Sequence, residues 1–321
     1  MSKFKALLTD YAWPDLDVEQ EVLSKSGVEL VVSPSGDHDQ LLKLAGDVDA
    51  ILTNWAKTTA DIIGASGKCQ IVARLGIGLD NIDVEYCTSQ KIPVTNIPDY
   101  CVIEVAEHAL AMLLAMARDI AFFHLETKQG KYNLQAGPTM RRIEGQTLGI
   151  LGLGNIGQRL ARKAICLGMN VIATVHHPQT KMAGVENVSF EDLLKRSDYI
   201  SIHAPLTKQT RHIFGCRQFE LMKPSAYLIN TARGGLIDHA ALWQALQENR
   251  IAGAALDVHD PEPADLSQPL YQDPRVIVCP HAAFVSEESL ADLRRRAAIQ
   301  VVTRLQGGIP ENVRNPQVLA K

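Results

Sequence analysis

Short apolar runs separated by longer segments of helical spacing recur along almost the whole chain. From Lys5 to Val94 the runs VELVV, AILTNW, QIVARLG and KIPVTN alternate with helical stretches. Beyond residue 146 the runs TLGIL, NVIATV, DYISIHAP, AYLINTARG, GAALDV and VIVCPH are spaced by helices such as FEDLLKRS and HAALWQALQENR. Strand–helix–strand alternation needs crossover connections, so both series predict parallel sheets whose strands are covered on both faces. Between them lies IPDYCVIEVAEHALAMLLAMARDI, where Pro98 and Asp99 mark a turn and a helix start. From Val105 to Ala117 its apolar residues cover nearly the whole helical circumference, which predicts a buried helix crossing between domains and packing on a partner subunit. Glu104, Glu107 and His108 punctuate that helix and read as structural groups. Phe122 to Arg142 reads as a polar, irregular connection. A last helix is expected from Glu287 to about Gln306, before a tail, GGIPENVRNP, that returns to the first domain. The domains expected are 1–99 with 287–321, and 100–286.

Within this pattern TLGILGLGNIG, Thr147 to Gly157, turns an apolar strand into a helix. The helix continues through Leu160, Ala161, Ala164 and Ile165, and a second strand follows Gly168. Gly152 suits the tight turn, Gly154 the approach of backbone to a pyrophosphate, and Gly157 close helix–strand packing. The helix N-terminus at Asn155 and Ile156 adds free amides and a partial positive charge. Gly152, Gly154, Asn155, Ile156 and Gly157 are therefore expected at a dinucleotide. In ARLGIGLDNID, Gly76 and Gly78 flank Ile77 and leave amides that either hold a carboxylate or simply end a strand.

At 321 residues, 46% hydrophobic and 21% charged, the chain is long enough for two cores. Its net charge of −4 argues against a nucleic-acid footprint. The basic cluster Arg294 to Arg296, near Glu287, Glu288 and Asp292, reads as a solvated helix face. Cys69, Cys87, Cys101, Cys166, Cys216 and Cys279 form no CxxC pair, so no metal site or disulfide framework is expected, and they read as reduced core thiols of a cytoplasmic protein. No leader pattern opens the chain, and Ala109 to Ala117 falls short of the about 20 residues of a bilayer span, so neither export nor membrane insertion is expected.

Strand ends in a doubly wound sheet face the ligand crevice. Three such ends carry Arg233 after LINTA, Glu262 shortly after ALDV, and His281 after VIVCP. Arginine presents a planar fork to a carboxylate and an adjacent carbonyl oxygen. Histidine can give or take the proton of that oxygen while hydride arrives at carbon, and a neighbouring glutamate favours its protonated form. Each has a plainer reading: Arg233 bracing the Gly234–Gly235 turn, Glu262 as a loop residue between prolines, His281 as a core histidine. Thr231, Ala232 and Asp257, at the same strand ends, are expected beside the cofactor. His203 in SIHAP competes for the acid role without a comparable glutamate or arginine beside it.

TARGGLID, ALDVHDPEP and CPHAAFVSEES, with LGLGNIG and RLGIGLDNID, resemble the D-isomer-specific 2-hydroxyacid dehydrogenase family over essentially the whole chain. HAAFVSEES, ALDVHDPEP and PDYCVIEVAEHAL are most similar to its C-terminal binding protein branch. The resemblance implies an α/β fold of two doubly wound parallel-sheet domains, with a Rossmann cofactor domain inserted in a flavodoxin-like substrate domain, the active site in the cleft and a homodimer formed through the cofactor domain. It implies reversible NAD(P)-linked reduction of a 2-keto acid to a D-2-hydroxy acid. In that reading Arg233 binds substrate, His281 is the acid/base, Glu262 supports the histidine, and the Ile77–Gly78 backbone holds the substrate carboxylate. The side-chain pocket is expected around Asn54, Trp55, Ile77, Tyr100 and Phe284, with Lys57 and Arg141 as candidates for a second anionic group. The chain departs from the family where a carboxylate ends the second cofactor strand and bonds the adenosine ribose. In IATVHHPQTK that place is taken by Val175, followed by His176 and His177, with Lys181 beyond. A 2′-phosphate is then tolerable, so NADP is expected ahead of NAD. Two alternatives stand: a dinucleotide-sensing scaffold like the branch's co-repressors, whose long disordered tail is absent here, and hydride transfer in phosphonate or phosphite metabolism.

Overall fold

A computed structural model that describes residues 3–177 and 179–319 contains twelve strands, most of them on the apolar runs, and every pairing between them is parallel. Pro178, within IATVHHPQTK, and the outermost residues of the expected first domain lie outside the described residues. The chain divides into two units, Met1–Tyr100 with Ser286–Lys321, and Cys101–Val285.

The first unit contains β1 (Phe4–Leu8), β2 (Val28–Val32), β3 (Ala50–Thr53), β4 (Val72–Arg74) and β5 (Val94–Thr95), in the order β2-β1-β3-β4-β5. That is the flavodoxin-like order. Successive residues of β1 serve opposite faces, as the two-residue period of a strand requires: Ala6 and Leu8 join one core, Leu7 the other, and all three are fully buried. The helix Glu287–Leu305 closes the first of these cores with Leu293, Ala297, Ala298 and Val301. Its start is set by a reciprocal cap in which the Ser286 and Ser289 hydroxyls each accept the other's backbone N–H at 2.9 Å. The tail then returns to the same sheet: Arg314 N–H donates to the Val94 carbonyl at 2.8 Å, and the Asn315 side chain accepts from Val94 N–H.

The second unit contains β6 (Thr147–Leu151), β7 (Asn170–Thr174), β8 (Val185–Asn187), β9 (Tyr199–Ile202), β10 (Tyr227–Asn230), β11 (Gly253–Leu256) and β12 (Val276–Val278). Their order is β12-β11-β10-β9-β6-β7-β8, so the winding reverses between β6 and β9. This is the Rossmann arrangement extended by one strand. The sequence pattern missed β8, a short edge strand, VEN, that carries almost no apolar signal. Core clusters cover both faces of the sheet, with Ile200 and Ile202 on one and Tyr199 on the other.

Three expectations are corrected. The stretch after Asp119 is not an irregular connection: it opens with the helix Ile120–Lys128 and includes a 3-10 turn at Leu134–Ala136. Asp119, at φ 48, breaks the preceding helix Val102–Ala117, and the two axes differ by 64°. That preceding helix buries one face, with Val105, Ala109, Met112, Leu113 and Met116, but leaves Ile103, Glu107 and Ala111 exposed within the chain. Among the described residues no single helix is long and apolar enough to cross a membrane. The cysteines divide as well, with Cys69, Cys87 and Cys101 buried but Cys166 and Cys216 exposed.

The third correction concerns Arg294, which is not on a solvated face. Its guanidinium lies 2.8 Å from a fully buried Glu19 carboxylate and 2.8 Å from Asp15, and packs over the Trp13 ring. One helical face carries both the apolar seam and this arginine, which the charge pattern alone reads as polar. Removing one member of a buried pair leaves an uncompensated charge, at a cost of about 3–5 kcal/mol. Arg294→Ala is therefore expected to lower the unfolding free energy by about that amount, read from the urea midpoint. Arg296→Ala removes contacts to the exposed carboxylates of Asp99, Asp292 and Glu311 and should cost less.

Candidate active site

The glycine turn after β6 has a separate physical reason at each of its three positions. Gly152 takes φ 99 and donates its N–H to the Thr174 carbonyl at 3.0 Å, and a Cβ there would fall 2.8 Å from the His203 carbonyl oxygen. A Cβ on Gly157 would run into the Gly152 carbonyl oxygen. At Gly154 the same atom meets nothing within 4 Å, so the backbone faces open space where the helix Asn155–Cys166 begins. Among the described residues no side chain caps that helix. Its first-turn amides at Asn155, Ile156 and Gly157 lack intrahelical partners by geometry, which together with the open approach fits a pyrophosphate. The site also stands beside the reversal of strand order, where ligands of such sheets bind.

Val175 follows the last residue of β7, and Leu151 and Thr174 are register partners, so Val175 is held next to the glycine turn. It is half-buried against the core below. His176 and His177 are exposed, with ring centroids 4.8 Å apart, and Lys181 is exposed beyond them. No carboxylate stands at Val175 to accept a ribose hydroxyl.

After β10 the chain turns around Asn230, which sequence reasoning did not single out. Its buried side chain donates to the Arg233 carbonyl at 2.9 Å and accepts from Ala232 N–H at 3.0 Å. Such a local side-chain bond is a common way for asparagine to shape a turn, and it sets the half-buried Arg233, whose Nη1 donates to the Ala232 carbonyl at 2.7 Å. Thr231 Oγ1 beside it is buried and has no hydrogen-bond partner among the described residues. Gly234 lets this turn reach the loop after β11, since a Cβ would collide with the His259 carbonyl.

Glu262 and His281 meet: Glu262 Oε2 lies 2.8 Å from His281 Nδ1, while Oε1 accepts the His259 backbone N–H at 2.8 Å. Burial pushes the Glu262 carboxyl up, but the hydrogen bond and charge of His281, with help from the His259 amide, outweigh it and hold the carboxyl below its ordinary range. Glu262 is thus ionised at neutral pH. His281 sits at φ 57, in the left-handed region that a non-glycine residue adopts only when its surroundings over-determine it. Asp257 supplies that constraint. Its backbone carbonyl accepts His281 N–H at 2.7 Å, and its fully buried carboxylate accepts the N–H groups of Ala282 and Ala283 at 2.8 and 2.9 Å. Phe284 packs edge-on to the His281 ring.

His108, Asp257 and Cys279 bring ligand-type atoms within 4.8 Å of one another. Both Asp257 oxygens already serve backbone amides, and burial pushes the Cys279 thiol up, away from the thiolate a metal requires. His203, the competing acid, is half-buried behind the glycine turn, its Nε2 2.9 Å from Ser201 Oγ, and desolvation pushes it down to about 4. It is neutral at physiological pH.

In the first unit the loop after β3 is pinned by Asp10, whose carboxylate accepts the N–H groups of Asn54, Trp55 and Ala56 at 2.7–3.1 Å. Asn54 is buried, with a bond from Arg74 to its side-chain oxygen, whereas Trp55 and Lys57 are exposed. Asn96 holds the Ile77 carbonyl at 2.7 Å. Among the described residues the amides of Ile77 and Gly78 donate to no backbone carbonyl, which leaves them for an anion. Tyr100 is half-buried against the first core, and Arg141 is exposed in the second unit.

This arrangement has known counterparts. Residues 110–283 match the family described as D-isomer specific 2-hydroxyacid dehydrogenase, NAD binding domain. The chain is 38% identical over 316 residues to the D-3-phosphoglycerate dehydrogenase of Methanocaldococcus jannaschii, an overlap of 97% of this chain but only 59% of that protein's length. It is 38% identical over 295 residues to the hydroxypyruvate reductase of Thermotoga maritima, covering 91% of this chain and 94% of that one. The crystal structure of the D-lactate dehydrogenase from Aquifex aeolicus, complexed with NAD and lactic acid, superposes with a TM-score of 0.86 at 28% identity and covers 97% of this chain and 99% of its own.

The burial of His203 has a consequence for stability. Its folded value near 4 lies below the ordinary 6.5, so as pH falls below 6.5 the unfolded chain takes up a proton that the folded chain refuses. Stability from this group is whole above pH 6.5 and is lost progressively between 6.5 and 4, amounting to about 2 kcal/mol near pH 5. His203→Gln keeps a partner for Ser201 but does not titrate. Urea denaturation near pH 5 and pH 8 should show a smaller difference in that variant than in the wild type, and equal differences would contradict the assignment.

Proposed function

The chain belongs to the D-isomer specific 2-hydroxyacid dehydrogenase family, a family of oxidoreductases, and from that premise we propose that it reduces a 2-keto acid to the D-2-hydroxy acid, reversibly, with a nicotinamide coenzyme. The observation that carries this reading is the 2.8 Å pairing of Glu262 with His281 on neighbouring strand-end loops of the dinucleotide sheet. Gly152, Gly154, Asn155, Ile156 and Gly157 hold the pyrophosphate, with Thr231 and Ala232 beside the coenzyme, while Asp257, fully buried, serves the loop after β12 instead; when bound, the coenzyme supplies the hydride. Arg233 binds the substrate carboxylate and polarises the carbonyl. His281 Nδ1 is committed to Glu262, so Nε2 gives the carbonyl oxygen its proton in reduction and takes it back in oxidation. Glu262, ionised, stabilises the imidazolium that donates that proton. The Ile77–Gly78 amides are assigned to the substrate carboxylate, and Asn54 and Trp55 to its side chain.

His281→Ala should lower kcat by about 10²–10⁴-fold while coenzyme binding, followed by fluorescence titration, stays as in the wild type. Arg233→Ala should act chiefly by raising KM for the keto acid. The assay uses glyoxylate, hydroxypyruvate and pyruvate with NADPH and NADH. Undiminished turnover by His281→Ala would remove it from the acid/base role.

Coenzyme preference is assigned to NADP. Support comes from Val175, which offers no carboxylate to repel a 2′-phosphate, and from the exposed His176, His177 and Lys181 that follow. The chain is also assigned as a homodimer through its second unit. There Ile120, Leu125, Tyr132 and Leu134 are each more than half exposed, near a cavity of about 460 Å³ lined by Met116, Phe122, Tyr227 and Ile277. Val175→Asp should move the ratio of kcat/KM for NADPH over NADH toward NADH by about tenfold or more, and an unchanged ratio would show that this strand end does not read the ribose.

A further inference from the structure

Glu262 and His281 belong to different loops, after β11 and β12, so something must set the distance between them. Asp257 clamps the residues that follow His281. The residues that precede it are held by a second contact, which comes from the Glu262 loop itself. His259 Nε2 lies 2.9 Å from the Cys279 carbonyl oxygen, two residues before His281. A carbonyl can only accept, so Nε2 carries a proton and donates it there. The backbone N–H of the same residue donates to Glu262 Oε1 at 2.8 Å. The ring is 9% exposed and stands edge-on to Tyr271 at 5.2 Å, whose hydroxyl lies 3.3 Å from His239 Nδ1.

We propose that His259 is a positioning residue for the acid/base pair. Its backbone orients the Glu262 carboxylate, and its ring ties the loop bearing Glu262 to the loop bearing His281. The proposal rests on the reading of Glu262 and His281 as that pair. The value of histidine here lies in its donor rather than its bulk, because a phenylalanine would fill the same space against Tyr271 yet leave the Cys279 carbonyl unheld.

The test compares His259→Phe, which keeps an aromatic ring but removes the donor, with His259→Gln, which restores an N–H, using glyoxylate, hydroxypyruvate and pyruvate with either coenzyme. His259→Met, also without a donor, reads the same tie independently of aromatic packing should the Phe variant fail to fold. The expected result is a fall in kcat of about tenfold for Phe and Met, since a small misplacement of a catalytic group is costly. KM for the keto acid and coenzyme affinity stay within about twofold of the wild type, and Gln recovers most of the lost rate. Wild-type kcat in the donor-free variants, or a Gln variant as slow as Phe, would overturn the proposal while His281→Ala remained inactive. Undiminished turnover by His281→Ala would overturn the acid/base reading, and this proposal with it.

Discussion

Asp257 has no exposed surface, and its carboxylate is spent on the backbone amides of Ala282 and Ala283. Burying a carboxylate is expensive unless its lone pairs are met, and two amides of the next loop meet them here. The result is that the residue after β11 dictates the conformation of the loop after β12. His281 accepts a left-handed backbone because its N–H is taken by the Asp257 carbonyl while its ring is taken by Glu262. The chemistry proposed for this chain depends on that arrangement: displace the Asp257 carboxylate and the histidine has no defined direction from which to transfer a proton.

Parallel pairing makes the arrangement possible. In a parallel sheet all carboxyl ends lie along one edge, so Gly152, Val175, Thr231, Asp257 and the loop after β12 are neighbours without any being close in sequence. The duties along that edge are distinct. The turn at Gly152 presents open amides, Val175 follows β7 beside that turn, and the loops after β10, β11 and β12 supply arginine, glutamate and histidine.

Two strand-end histidines show how environment divides like residues. His203, behind the glycine turn, is half-buried with its Nε2 against Ser201, and desolvation keeps it neutral at physiological pH. His281 has an ionised carboxylate at 2.8 Å and a ring that is partly solvated. Of the two, only the second has a carboxylate placed to support its charged form. Arg294 and Arg296 make the same point in the first unit, the one answered by a carboxylate with no exposure and the other by three exposed ones.

Much of this was legible in the one-dimensional pattern. Apolar runs buried on both faces announce parallel strands, the glycine spacing announces the turn, and the missing acid at Val175 is visible by counting from Gly157, because these signals are local. The failures were local signals too weak or overridden: VEN at an edge carries no apolar run, AFFHLETK has neither a cap nor a buried stripe, and Arg294 looks solvated until Glu19, far away in the chain, is brought against it. Asn230 and His259 were passed over since nothing in their neighbours distinguishes a side chain that holds a carbonyl from one that faces water. What the sequence determined by itself is the set of elements and the residue types at their ends. Tertiary structure alone decided which of those residues meet, since pairing Glu262 with His281, fastening both through Asp257 and His259, and drying out His203 depend on strand order and burial, which arise only when distant segments pack.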